Sequence, residues 1–204
     1  IIKPFHEFIA RKFSLSVILF IILYKLGDAI LGVMANPFYV EIGFSAQEIA
    51  TASKVFGSLA TIVGVIFGGF LTSSIGIFRS LLICGILQAL SNLMFAFQAI
   101  VGDNFSVLFL TIGIENLSGG MGAAAFVAFL SSMCNRSHVV TQYALLSSFM
   151  AFSRTALSSF GGWLADELSW FLFFLLSGFL AIPGLIILIF LMKRIKLFLP
   201  SNAS

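Results

Sequence analysis

The sequence predicts an all-α membrane protein whose six transmembrane helices are laid down as a three-plus-three inverted repeat. Two observations carry the membrane half of that statement. Only 9% of the 204 residues are charged and 60% are hydrophobic, with a mean hydropathy of +1.12; a soluble domain carries about 25% charge. The apolar stretches are also long and continuous rather than alternating, the pattern of spanning helices and not of a barrel. A short internal echo, described below, carries the repeat.

Crossing about 30 Å of hydrocarbon takes roughly 20 residues. Spans are expected at 14–40, 46–72, 79–100, 106–133, 141–165 and 169–192. The stretches "EIGFSAQE", "TSSIGIFR", "VGDNFS", "NRSHVV" and "DELSW" separate them, and residues 1–204 read as a single six-helix bundle with no extramembrane domain. The opening "IIKPF" reads as a continuation of something upstream.

Taken in order, the first span puts Lys25, Asp28, Gly32 and Asn36 on one helical stripe. The second does the same with Lys54, Ser58, Thr61 and Gly68. The third carries no embedded charge; Gln88 and Asn92 give it a polar face suited to interhelical hydrogen bonding. The fourth sets Glu115 and Asn116 just before "SGGMGAAA", where Gly119-x-x-x-Ala123 and Gly120-x-x-x-Ala124 allow a neighbouring helix to approach closely. "GVIFG" (64–68) has the same character. The fifth aligns Tyr143, Ser147, Met150, Arg154, Ser158 and Gly161 on one face. The sixth is almost uniformly apolar, with a kink expected at Pro183-Gly184. The third and sixth read as peripheral supports.

Charge outside the spans sets the orientation. Lys3, Arg11, Lys12, Arg79, Arg136, Lys193, Arg194 and Lys196 fall at the start, the second and fourth loops and the tail. Glu41, Glu48, Asp103, Asp166 and Glu167 fall at the other connections. Basic residues stay cytoplasmic, which places both termini inside. The net charge of +3 is therefore topology information, and nothing here clusters as a nucleic-acid face would.

Inside the spans, Lys25, Asp28, Lys54, Glu115 and Arg154 each cost about 2.5–3.5 kcal/mol at mid-bilayer and need a partner or a wet cavity. Their stripes read as walls of one polar cavity, the alternative being pairs that only hold the bundle together. An enzyme is not indicated. His6 and His138 lie far apart at the predicted surface, Cys84 and Cys134 are isolated, and no cofactor or metal pattern is present.

Helices one to three read acid-bearing, base-bearing, uncharged, and helices four to six repeat that order. "GGFLTSSIG" (68–76) and "GGWLADELS" (161–169) close the second and fifth spans and echo one another. Three being odd, the two copies cross the membrane in opposite senses.

These residues resemble a known family. "ILYKLGDAILG", "KVFGSLATIVG", "LLICGILQALSNLMFA", "IENLSGGMGAAAFVAFLSSMCN", "TQYALLSSF" and "GGWLADELSWFLFFLLSG" are similar, in order and over nearly the whole chain, to the C-terminal half of AmpG-type muropeptide permeases of the major facilitator superfamily. The resemblance implies one half of a major facilitator fold and a proton-coupled carrier of the bacterial inner membrane. Its cargo would be N-acetylglucosaminyl-anhydromuramyl peptides, imported for cell-wall recycling. It also implies a second six-helix half as partner, with the substrate between halves. Alternatives are a carrier of acetyl-CoA or another anionic solute, and a truncated half without transport. The loop "GGFLTSSIGIFRS" departs from the superfamily, retaining only Arg79 of its usual acidic and basic set.

The candidate proton-coupling residues are Asp28 and Glu115, since a carboxyl withdrawn from water binds a proton more readily. Pairing between Lys25 and Asp28 at three-residue spacing would make Glu115 the better proton site. The candidate substrate-binding residues are Lys25, Lys54 and Arg154 for acidic groups, and Asn116, Gln142 and Tyr143 for sugar hydroxyls.

Overall fold

The computed structural model describes residues 14–135 and 138–196. Lys3, His6, Arg11, Lys12 and Arg136 lie outside the described residues. Every element is helical: α1 (Ser14–Tyr24), α2 (Leu26–Glu41), α3 (Ala46–Ile75), α4 (Ile77–Val101), α5 (Phe105–Met133), α6 (Val139–Ser158), α7 (Phe160–Glu167), α8 (Trp170–Phe179) and α9 (Ile182–Lys196).

Among the described residues five runs are long and apolar enough to cross a membrane: Ser14–Glu41, Ala46–Ile75, Ile77–Val101, Phe105–Met133 and Trp170–Arg194. The expected span at 141–165 is instead two helices, α6 and α7, that meet at Ser159. Gln142, Tyr143, three pairs or singles of serine and Arg154 make α6 too polar to qualify on composition.

Local chemistry explains the joints. Ser45 and Glu48 form a reciprocal capping box at the start of α3, the serine hydroxyl taking the Glu48 N–H (3.3 Å) and the carboxylate taking the Ser45 N–H (2.9 Å). Gly76 and Gly102, at φ of +86° and +79°, turn the chain between α3 and α4 and after α4, a conformation L side chains resist. Asn104 Oδ1 accepts from the Ser106 and Val107 N–H groups at 3.0 and 3.3 Å and so caps α5. Asn104→Ala is expected to lower stability by about 1 kcal/mol, read as thermal unfolding in detergent. The Trp170–Arg194 run breaks at Leu180–Ala181, just ahead of Pro183, because the proline removes a ladder donor and crowds the preceding turn.

The first run breaks at Lys25, which leaves helical geometry at φ −103°, ψ 7°. There α9 presses closest: a Cβ on Gly184 would fall 2.7 Å from Tyr24 Cα. Tyr24 is pinned as well, its hydroxyl donating to Leu81 O at 2.9 Å. A π-helical segment, Thr51–Gly57, interrupts α3.

Helix α3 packs along α5, and α4 is held between α5 and α8. Half of the apolar window of α4 is buried, the largest share of any span, so the third helix is central within this bundle rather than a peripheral support. The α3–α5 seam is made by small residues on both sides. Gly64 lies under the Leu117 carbonyl, Gly68 under the Met121 backbone and Gly120 under the Thr61 carbonyl. Gly68 is therefore packed against α5, not on the cavity stripe expected for it. A Cβ at Gly119 would meet nothing within 4 Å, so of the two expected close-approach steps the one through Gly120 makes the seam.

Two apolar clusters fill the bundle. One gathers Phe20, Tyr24, Leu81, Phe126, Phe129 and Leu188; the other gathers Leu31, Phe38, Phe95, Leu108, Phe173 and Phe174. On the first run, on α4 and on α5, the polar residues lie between the clusters.

Candidate functional site

On the first run that interval holds Lys25 and Asp28. Three residues apart on a helical turn, they pair at 3.0 Å (Lys25 Nζ to Asp28 Oδ2), the one salt bridge among the described residues. On α4 it holds Gln88, Ser91 and Asn92, all buried. Gln88 Nε2 donates to the same Asp28 Oδ2 at 2.6 Å, bridging sixty residues of sequence. The carboxylate is thus addressed by two donors on one oxygen.

On α5 the interval holds Glu115, Asn116 and Ser118. Asn116 Nδ2 donates to Glu115 Oε2 at 2.9 Å and to Ile112 O at 2.8 Å. Asn116 Oδ1 lies 3.0 Å from Thr61 Oγ1 on α3, which also lies 2.9 Å from Gly57 O at the end of the π-helical segment. Gly57 fits this arrangement, since a Cβ there would come within 3.2 Å of Asn116 Nδ2. The site's second carboxylate is therefore tied through an amide to the one irregular segment of α3.

Arg154 projects from α6 on an exposed face and pairs with no carboxylate among the described residues. Lys54, on the π-helical segment, is likewise exposed and without a described carboxylate partner. Gly32 and Asn36 continue the Lys25–Asp28 stripe onto an exposed surface. Two hydrogen-bonded carboxylates, Asp28 and Glu115, thus lie in this interval, and two exposed cations, Lys54 and Arg154, lie outside any described ion pair.

Two expected site residues lie elsewhere. Gln142 is 1% exposed and its Oε1 accepts from the Asn135 backbone N–H at 2.7 Å, fastening the loop between α5 and α6. The amide oxygen thus holds the loop. Tyr143 packs against the apolar cluster around Phe129. Conversely, Gln88 had been read only as interhelical bonding, and its partner proves to be the candidate carboxylate itself. Its signal was a polar residue on an otherwise apolar helix.

A family model described as the Major Facilitator Superfamily matches residues 17–201. The chain belongs to the major facilitator superfamily. It is 40% identical over 190 residues to the anhydromuropeptide permease of Escherichia coli K12, covering 93% of this chain and 39% of that protein. It is 38% identical over 196 residues to the AmpG 4 protein of Rickettsia felis, covering 96% of this chain and 47% of the relative. AmpG 1 of Rickettsia prowazekii is 38% identical over 184 residues, 90% of this chain and 42% of the relative. The chain therefore spans about half the length, or less, of these relatives.

Proposed function

We propose that these residues form one six-helix half of a proton-coupled carrier that imports muropeptides across the bacterial inner membrane, both ends of the bundle facing the cytoplasm. In this reading α6 and α7 together make the fifth crossing. Its polarity suits a helix facing substrate and water rather than lipid. The order of acid-bearing, base-bearing and uncharged helices then completes the three-plus-three inverted repeat.

The observation that carries the reading is the hydrogen-bonded set of Lys25, Asp28 and Gln88 with Glu115 and Asn116 in a chain similar to an anhydromuropeptide permease. N-acetylglucosaminyl-anhydromuramyl peptides carry carboxylates, and Arg154 and Lys54 are the cations open to meet them. Lys25 is committed to Asp28 and becomes available only when that carboxylate is neutralised. Glu115 has no cation in contact, which makes it the proton-exchanging group, with Asn116 orienting it. A second half closes the site. The face of α3 turned away from α5 is the surface it would cover, for only 17% of the α3 apolar window is buried and Leu59, Ile62, Ile66, Phe67 and Phe70 stand exposed.

The test is uptake of radiolabelled anhydromuropeptide into cells lacking their own permease, in strains expressing this chain alone, the chain with an N-terminal six-helix half, or neither. Uptake with both halves supports the proposal. No uptake in any strain overturns the muropeptide assignment and directs the assay to other anionic solutes, acetyl-CoA included. In the active strain Arg154→Gln is expected to raise KM by roughly tenfold, the loss of one charge-assisted hydrogen bond, with kcat little changed.

A further inference from the structure

Gly122 lies on α5 about half a turn beyond Gly120 and faces a different neighbour. A Cβ built on it would fall 2.6 Å from Gln88 Oε1, 2.7 Å from its Cδ and 2.9 Å from its Nε2. The whole Gln88 amide thus rests on the bare Cα of Gly122. Gln88 is 3% exposed, and from that position its Nε2 reaches Asp28 Oδ2 at 2.6 Å, beside Lys25.

We propose that Gly122 and Gln88 act as one positioning unit for Asp28: the glycine clears the volume in which the amide lies, and the amide supplies Asp28 with its second donor. An alanine at 122 would drive the amide out of that volume.

The other end of the same amide supports the assignment. Gln88 Oε1 is buried with no hydrogen-bond partner, as is Asn92 Nδ2 one turn further along α4. Unpaired buried polar atoms are costly, and each native instance has a reason. Here the amide is turned so that its donor end meets the ionised Asp28, which leaves Oε1 against Gly122 with no partner. The titratable groups that interact with Asp28 are Lys25 and Tyr24 on the same run and Glu115 on α5. Helices α4 and α8 contribute Gln88, Ser91, Asn92 and Ser177 nearby. That Asp28 takes part in a carrier cycle rests on the function proposed above; the positioning itself does not.

Carbodiimide labelling of Asp28 tests this without any transport step, because the reagent modifies a membrane-embedded carboxyl through its protonated form. Labelling is followed by mass spectrometry on the full chain in membrane vesicles, with Glu115 as internal reference. Gln88→Leu and Gly122→Ala are each expected to speed labelling of Asp28 by roughly fivefold, the weight of one hydrogen bond, leaving Glu115 unchanged. The double variant is expected to match Gln88→Leu alone, since the glycine acts through the amide. Unaltered Asp28 labelling in Gly122→Ala, a parallel rise at Glu115, or additive effects in the double variant would each overturn the proposal. Should Gly122→Ala not accumulate, adding Gln88→Ala must restore it by removing the crowded amide; failure to do so counts against the proposal equally. Uptake plays no part in the readout, so an absence of transport leaves this result standing.

Discussion

Glu115→Gln, made in the strain that imports muropeptide, will still equilibrate the substrate but will no longer concentrate it. Gln keeps the shape and the acceptor that Asn116 Nδ2 addresses at 2.9 Å, and it removes the proton-exchanging group. The two carboxylates of the polar layer are not equivalent. Asp28 has its countercharge at 3.0 Å and a second donor at 2.6 Å, whereas Glu115 has an amide and no cation in contact. The group lacking a counter-ion is the one whose protonation removes an uncompensated charge from the membrane interior. One elementary charge moved through roughly 100 mV is worth about 2.3 kcal/mol, which sustains an accumulation of about fifty-fold. The variant is expected to lose that factor in a pH-jump uptake assay while counterflow exchange, which needs binding alone, persists. Retained accumulation would remove Glu115 from the proton path and leave Asp28 as the remaining candidate.

How much of this was legible in the sequence depends on the range over which each feature is decided. The Lys25–Asp28 pair is local: three residues on one turn meet whatever the rest of the bundle does. The kink ahead of Pro183 is local for the same reason, although the break lies at Leu180–Ala181 rather than at the proline. The rotation of a helix about its axis is not local. Whether Gly119 or Gly120 meets the neighbour differs by about 100° of helical turn, and α3 decides it, not α5. Gln88 could be seen to want a partner, but the partner lies sixty positions away on a helix whose packing the sequence does not state. The break at Lys25 had no proline to announce it; its cause is Gly184 pressing on Tyr24 from α9. Helical periodicity says which residues share a face and not that Gln142, near a helix start, turns back to hold its own loop.

The small residues of α5 lead to the second large effect. Gly120→Leu is expected to destabilise the bundle by roughly 2–4 kcal/mol, combining overpacking with the loss of a hydrogen bond. The obstacle at 120 is backbone. A Cβ there meets the Thr61 carbonyl and comes within 3.0 Å of the Val65 nitrogen, and neither can swing aside as a side-chain end would. Gly64 and Gly68 meet Leu117 and Met121 in the same way from α3, so the helices have no slack along the seam and must separate. Separation also parts Thr61 from Asn116, whose polar atoms lie 3.0 Å apart, and frees the amide that orients Glu115. Gly119→Leu is the matched control on the same helix: a Cβ there meets nothing within 4 Å, and such an open position is expected to change stability by less than about 0.5 kcal/mol. Thermal unfolding of the two variants in detergent separates the cases. Equal losses would mean that α5 tolerates bulk on neither face or that the seam lies elsewhere. A loss confined to Gly120→Leu, together with impaired uptake, would establish that the close approach of α3 and α5 is what holds Glu115 in place.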